Sequence, residues 1–187
     1  PGEYFPVFED EKGTYIMNSR DMCMIDHLDD LMDAGVDCLK IEGRAKSAYY
    51  AAIVAGAYRH VLDDLAAGRP ADPVWRDEVE HVSHRHYSTG FFYGQPGQYF
   101  ENSRYIREWQ ICAVVLSCDE TGLATLSLRN KFRAGDRVEI VGPDLKPFDE
   151  IVRREPYSVE TKAREIFQRL KTGGITRFLL LFRGSRS

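Results

Sequence analysis

The residue types best suited to chemistry in this chain stand together in one short turn. Glu42, Arg44 and Lys46 come directly after the apolar run 36–41 and directly before a predicted helix. In α/β proteins, ligands bind at the carboxyl ends of strands, where helix N-termini present free N–H groups. A planar arginine fork matches a carboxylate or a phosphate. The turn therefore predicts a site for an anionic or polar ligand. The substrate-binding candidates are Glu42, Arg44, Lys46 and Tyr49.

A structural explanation of the same turn is equally good. Arg44 or Lys46 would then neutralise Glu42 in an ion pair at the rim of a barrel. If Glu42 acts on a ligand, we expect it to orient a partner rather than to serve as a general base. Tyr50 lies on the apolar stripe of the predicted helix, whereas Tyr49 is predicted to be more open and able to stack on a base.

A second group of cations, around one turn near residue 133, suits contact with RNA phosphates. Small β-barrels often bind RNA through a charged face. The RNA-binding candidates are Arg129, Lys131, Arg133 and Arg137. The alternative, which the sequence favours slightly, is a solubilising edge that blocks strand pairing.

No catalytic or metal-binding residue is assigned. His81, His84 and His86 lack the additional ligands that zinc needs, so we interpret them as surface histidines. Ser19 and His27 form no visible triad with an acid.

The bulk properties are those of an ordinary globular protein. The 187 residues are 43% hydrophobic with a net charge of −4, and no apolar run approaches the ~20 residues of a membrane span. Without a visible signal peptide, we predict a cytoplasmic protein that does not contact membranes. The four cysteines include no Cys-x-x-Cys pair, and we expect Cys23 and Cys38 to be buried free thiols.

Residues 1–70 show a strand–helix–strand–helix rhythm. Asn18 and Ser19 are predicted to cap a helix that ends at Gly35, the run Val36–Ile41 is predicted to be a strand, and Ser47 to cap a helix reaching about residue 67. This is the βα pattern of a parallel sheet. Two such units make too little sheet to cover their own helices, so we expect this chain to be the C-terminal part of something longer.

The second half is predicted to be rich in strands. Residues 71–109 are predicted to form a connector with a short helix capped by Asp72 and Pro73. Strands are predicted at Ile111–Cys118, Leu123–Arg129 and Arg137–Val141, a spacing typical of a small barrel. The run Phe178–Phe182 is also strand-like. A helix over Val159–Leu170 and a disordered tail over 184–187 complete the prediction.

Three segments carry a resemblance to a known family, namely 18–27, 39–50 with its Lys-Ile-Glu-Gly-Arg run, and 84–91. Over residues 4–150 the chain resembles the C-terminal portion of the peptidase U-32, or collagenase-like, family. The resemblance implies a fold that is α/β plus β. Residues 1–70 would be the terminal βα units of a TIM-like barrel, 71–109 a connector, and 110–187 a small C-terminal β-barrel.

Some relatives in this family are called proteases, and others resemble prephenate-dependent hydroxylases of tRNA uridine and rRNA cytidine, which use an iron–sulfur cluster. The resemblance implies that the cluster cysteines lie upstream, so this chain is expected to hold no cofactor and to lack catalysis by itself. We expect it to contribute substrate or RNA binding to a parent that hydroxylates RNA. The expected partners are the upstream barrel domain and tRNA or rRNA. A collagenase-like peptidase, or a stand-alone binding module, is the alternative.

Overall fold

The computed structural model describes residues 7–11, 13–15, 19–99, 104–118, 124–142, 145–152 and 178–183. The chain divides into two compact units, Pro1–Arg107 and Glu108–Ser187. Within the described residues, no helix has both the length and the apolar character needed to cross a membrane.

The first unit consists mainly of helices joined by short extended segments. Its elements are β1 (Phe8–Asp10), β2 (Gly13–Tyr15), β3 (Asp21–Met22), a 3-10 turn (Ile25–His27), α1 (Leu28–Asp33), α2 (Ala48–Ala66), α3 (Val74–His81) and β4 (Tyr87–Ser88). Strands β1 and β2 pair antiparallel, whereas β3 and β4 pair parallel. The mixed helix and strand content agrees with the predicted class.

Helix α2 confirms the sequence prediction at both ends. The Ser47 side chain accepts a hydrogen bond from the Tyr50 N–H at 3.2 Å, which satisfies a donor that the helix itself leaves free. Gly68, with φ +68°, follows the last turn. The apolar face of α2 packs on α3 and on the segment before α1. The buried core there contains Met24, Ile25, Leu28, Leu31, Ala57, Val61, Trp75 and Val79.

The helix predicted to begin after residue 19 begins later. Residues 21–22 form strand β3, and regular α-helix starts only at Leu28. The reason is that this segment pairs with backbone far away in sequence, since the Asp21 N–H donates to the His86 carbonyl at 3.1 Å. The predicted end is confirmed: Gly35 has φ +77°, and the N–H groups of Gly35 and Val36 donate to the carbonyls of Met32 and Leu31, a Schellman motif.

The predicted strand Val36–Ile41 is wrong for this structure. Residues 36–43 carry no regular structure, and Val36 and Ile41 are 43% and 38% exposed. A strand forms only where a neighbouring strand takes up its N–H and C=O groups, and no described strand pairs with residues 36–41. Cys38 is for the same reason exposed rather than buried, while Cys23 is half-buried.

The second unit is an open, antiparallel, five-stranded sheet. Its strands are β5 (Trp109–Cys118), β6 (Ala124–Leu128), β7 (Arg137–Gly142), β8 (Leu145–Ile151) and β9 (Phe178–Arg183). They pair in the order β6-β5-β9-β7-β8. The predicted strands at 111–118, 123–129, 137–141 and 178–182 correspond to β5, β6, β7 and β9, with β6 limited to Ala124–Leu128. The described strands do not close into a barrel. The predicted helix over 159–170 and the tail lie outside the described residues.

Candidate functional site

Extended backbone at three places in the first unit builds two adjacent sites. The segments are 19–21, 83–87 and 105–107, tied together by a bridge between His84 and Ile106 and by the bond from Asp21 to His86. Successive side chains of extended backbone point to opposite sides. Of the odd-numbered side chains, those at 19, 83, 85, 105 and 107 are linked by contacts with one another, and Asp21 contacts the Arg85 backbone. The even-numbered side chains at 20, 84, 86 and 106 line a cleft, together with Tyr87.

The odd side gathers cations around one tyrosine, a group that we call the cation–tyrosine cluster. It consists of Asp21, Lys46, Arg85, Tyr105 and Arg107. The charged groups of Lys46, Arg85 and Arg107 lie 4.0, 5.1 and 5.7 Å from the centre of the Tyr105 ring. A cation over an aromatic face within about 6 Å is attracted by the electrons of the ring. Three cations on one ring also repel each other, so the cluster favours an anion beside it.

Backbone and hydroxyl groups hold the cluster in place. Lys46 Nζ donates to the Ser83 carbonyl at 2.8 Å and lies 3.7 Å from Asp21 Oδ2. Arg107 Nε donates to Ser83 Oγ at 3.0 Å. Asp21 Oδ2 also accepts the Arg85 backbone N–H at 3.0 Å. Within the cluster, Asp21 carries one negative charge against the three positive charges of Lys46, Arg85 and Arg107, so positive charge is in excess.

Tyr50 lies at the edge of the cluster. Its ring centre is 5.2 Å from Lys46 Nζ. Burial, and then the negative charge of Asp21, raise the pKa of Tyr50 above its ordinary value. Tyr50 therefore stays a neutral phenol at physiological pH and does not add a second negative charge.

The structure separates the residues of the predicted Glu-Gly-Arg turn. Glu42 Oε1 accepts the backbone N–H of Arg44 at 2.9 Å, and the Lys46 N–H donates to the Gly43 carbonyl, so the turn is held by hydrogen bonds within itself. The Arg44 side chain is exposed and pairs with no described residue. The predicted ion pair of Glu42 with Arg44 or Lys46 is absent from the described contacts, and only Lys46 reaches the cluster.

The assignment of the two tyrosines is reversed. Tyr49 is buried, with 8% of its surface exposed, whereas Tyr50 is half-buried and faces Lys46. Tyr49 lies one turn before Ile53 and Tyr50 one turn before Val54, so both border the apolar stripe of α2. Periodicity alone could not choose between them. Tyr49 therefore does not present the open ring on which a base was predicted to stack.

The even side is a cleft of about 300 Å³. It is lined by Arg20, Arg76, Glu80, His84, His86, Tyr87, Tyr99 and Ile106. His84 is buried and stacks flat on Tyr87 at 4.2 Å, with Nδ1 2.6 Å from the Arg85 carbonyl and Nε2 3.0 Å from Glu80 Oε2. His84 was predicted to be a surface histidine, and the stacking and the cleft explain its burial.

In the second unit, three of the predicted RNA-binding cations lie on a firmly held loop, residues 129–136, which we call the cationic loop, and Arg137 is the first residue of β7. Phe132 is buried, Asn130 Nδ2 donates to the Ile111 carbonyl at 2.8 Å, and Asp136 Oδ2 accepts the Arg133 N–H at 2.6 Å. Arg137 pairs with Asp149. The side chains of the three remaining candidates are exposed and pair with no described residue. They are Arg129, Lys131 and Arg133.

Each unit contains two cysteines, whereas an iron–sulfur cluster held by cysteine alone takes four thiolates. Cys23 and Cys38 belong to the first unit, and Cys112 and Cys118 to the second. Burial, and to a lesser extent the charge of Asp136, raise the pKa of the Cys112 thiol to about 12, which keeps it protonated. The cysteines of either unit by itself therefore do not supply the four thiolates of such a cluster.

Sequence reasoning missed the partners that complete the cation–tyrosine cluster. Arg85 and Arg107 lie about 20 residues apart and reach the same ring only because their backbones pair. The sequence feature that could have indicated these partners is the placement of cationic and aromatic residues at alternate positions in 83–87 and 105–107.

Known families and proteins match this chain over nearly all of its described residues. A model of peptidase family U32 matches residues 3–102, and a model of the U32 C-terminal domain matches 107–155. A "tRNA hydroxylation protein P" of Escherichia coli is 42% identical over 147 residues, which are 76% of this chain and 32% of that protein. "tRNA hydroxylation protein P1" of Bacillus subtilis is 35% identical over 76% of this chain and 35% of that protein. A "Collagenase" of Porphyromonas gingivalis is 24% identical over 81% of this chain and 44% of that protein.

Proposed function

The chain belongs to peptidase family U32, and on that premise we propose that it is an RNA-binding part of a protein that hydroxylates tRNA. The resemblance seen in the sequence is thereby confirmed. The tRNA hydroxylation proteins support the reaction, because their names state it and their identity to this chain reaches 42%. The chain spans about a third of the length of those relatives. We therefore assign it binding, and assign the chemistry and any iron–sulfur cluster to residues beyond this sequence.

The observation that carries the binding role is the cation–tyrosine cluster. RNA offers a phosphate beside an aromatic base in every nucleotide, and proteins bind it with cations for the phosphate and aromatic rings for the base. Lys46, Arg85 and Arg107 supply the cations, and Tyr105 supplies the ring. Of the predicted substrate-binding residues, Lys46 belongs to this cluster, and Arg44 is exposed on the turn that leads to it.

Three finer assignments belong to the same proposal. The first unit would complete the TIM-like barrel of the whole protein, with the upstream barrel domain as its partner. The second unit would act as an accessory module whose cationic loop contacts tRNA or rRNA. The protein would work in the cytoplasm, where it would meet RNA.

The test is RNA binding by the 187-residue chain at increasing salt. We expect Lys46→Gln combined with Arg107→Gln to weaken binding and to lower the salt dependence, since each lost phosphate contact removes about 0.7 from the slope of log K against log salt for single strands. Arg59→Gln is the matched control, because Arg59 pairs with Asp63 on the exposed side of α2. Unchanged binding in the double variant would refute the role of the cluster. Fragments of tRNA and rRNA tested in parallel distinguish the two substrates.

The second candidate function is peptidase activity, which the collagenase relative favours. Its test is cleavage of gelatin by the whole protein. Release of peptides that is lost with the same Lys46 and Arg107 substitutions would favour the peptidase over the RNA-binding role.

A further inference from the structure

The cleft on the even side of the extended segments lies apart from the cation–tyrosine cluster and has its own chemistry. A volume of about 300 Å³ is at the lower end of the range for small-ligand pockets, about 300–1,000 Å³. It suits one small unit of a ligand rather than an element of folded protein.

The charges of the cleft favour an anion at one end only. Arg76 Nη1 lies 2.8 Å from Glu80 Oε1, so these two lining charges offset each other. Arg20 is exposed, and its guanidinium pairs with no described residue. Arg20 is therefore the charge that an entering anion meets.

The aromatic residues of the cleft favour a flat group next to that anion. The rings of His86 and Tyr99 lie 4.2 Å apart, tilted by 44°, and both line the cleft. Histidine and tyrosine rings are surfaces on which unpaired bases stack. The bridge between Ser19 and Gln98 pairs the backbones that carry Arg20 and Tyr99, so the cation and the ring enter the cleft from neighbouring segments.

The other charges that line the cleft are already paired. Glu80 Oε1 lies 2.8 Å from Arg76 Nη1, and Glu80 Oε2 lies 3.0 Å from His84 Nε2, so this carboxylate is engaged at both oxygens. The cleft therefore offers an entering ligand one cation, Arg20, and the aromatic rings of His86 and Tyr99. A nucleotide, with a phosphate beside a flat base, matches that pair better than phosphate or a simple carboxylate.

We propose that this cleft binds one nucleotide of a single-stranded RNA, with the phosphate on Arg20 and the base against His86 and Tyr99. The inference rests on the proposed RNA-binding function and adds to it a defined nucleotide site. The site lies on the other side of the extended segments from the cation–tyrosine cluster. It does not depend on Lys46 or Arg107.

The test is calorimetric titration of the 187-residue chain with adenosine 5′-monophosphate, adenosine, inorganic phosphate and an adenosine tetranucleotide. We expect the monophosphate to bind at least tenfold more tightly than adenosine or phosphate, and the tetranucleotide to bind no more weakly than the monophosphate. Arg20→Gln is expected to lower monophosphate affinity about tenfold and to leave adenosine affinity unchanged. Arg59→Gln is the matched control and is expected to change neither.

Several results would overturn the inference. Phosphate that binds as tightly as the monophosphate would leave only an anion site. An unchanged monophosphate affinity in Arg20→Gln would show that Arg20 does not bind the phosphate. A tetranucleotide that fails to bind would show that the cleft does not accept an RNA strand. Tyr99→Leu, checked by its melting temperature, is expected to weaken adenosine and monophosphate alike by about fivefold or more.

The two proposals can fail separately. If Lys46→Gln with Arg107→Gln abolishes RNA binding while no variant or ligand reveals nucleotide binding in the cleft, the RNA-binding function stands and the cleft inference falls. If the chain binds neither RNA nor the tetranucleotide, both fall.

Discussion

Removing the three unpaired cations of the cationic loop should change RNA binding without changing stability. The variant is Arg129→Gln with Lys131→Gln and Arg133→Gln. These side chains are exposed and pair with no described residue, so their loss breaks no described contact. The loop itself is held by Phe132 and by backbone bonds such as Gly135 N–H to the Val152 carbonyl at 2.7 Å. We expect the melting temperature to stay within the small range of ordinary surface substitutions.

The magnitude follows from counting phosphate contacts. If each cation neutralises one phosphate of a single strand, the slope of log K against log salt falls by about 0.7 for each, or about 2 for all three. Between about 50 and 200 mM salt, wild-type affinity would then fall roughly twentyfold more than that of the variant.

Filter binding of a labelled RNA at several salt concentrations measures this slope. Arg137→Gln is the matched control, because Arg137 already pairs with Asp149, and we expect it to change the slope by less than any single substitution in the triple variant. A triple variant whose slope equals that of the wild type would refute phosphate contact and leave the loop as a solubilising edge.

The remaining predictions concern stability. Gly35→Ala should destabilise the chain by about 1 kcal/mol, because Gly35 has φ +77°. Gly56→Ala, inside α2 with nothing within 4 Å of an added Cβ, should instead stabilise it by about 1 kcal/mol. Urea denaturation measures both, and changes in unfolding free energy of the same sign would contradict the reasoning. Burial raises the pKa of the Cys112 thiol from 9.0 to about 12. Between these pH values the folded state keeps the thiol proton, whereas the unfolded state loses it. The free energy of unfolding therefore falls as the pH rises from 9.0 towards 12. The difference in stability between wild type and Cys112→Ala should therefore narrow over this range, and a constant difference would contradict the shift.

The elements that the sequence predicted correctly are those specified by residues within them or directly next to them. Helix α2 follows from the cap at Ser47, a 3.6-residue apolar stripe and Gly68, and β5 and β7 follow from apolar or alternating runs bounded by turn residues. The run Val36–Ile41 has the composition of a strand as well. It fails because a strand also needs a partner for its backbone groups, and a partner is not a property of the run itself.

The candidate site could be predicted only in part for a related reason. Lys46 was found because it follows a turn next to a helix start, which is a local pattern. Its partners Asp21, Ser83 and Tyr105 are 25, 37 and 59 positions away in sequence. They are brought to it by the pairing of β3 with β4 and by the bridge between His84 and Ile106. Single-sequence periodicity contains no information on such pairing.

The alternation that builds both candidate sites decides which substitutions can separate them. Asp21 binds Lys46 through its carboxylate and also fixes the backbone of Arg85, whose neighbours His84 and His86 line the cleft. A change at Asp21 would therefore disturb both sides at once. Arg20 and Arg107 are exposed, and each faces one side only. For this reason Arg20 can report on the cleft and Arg107 on the cation–tyrosine cluster, and a substitution at Asp21 cannot distinguish a nucleotide in the cleft from phosphate on the cluster.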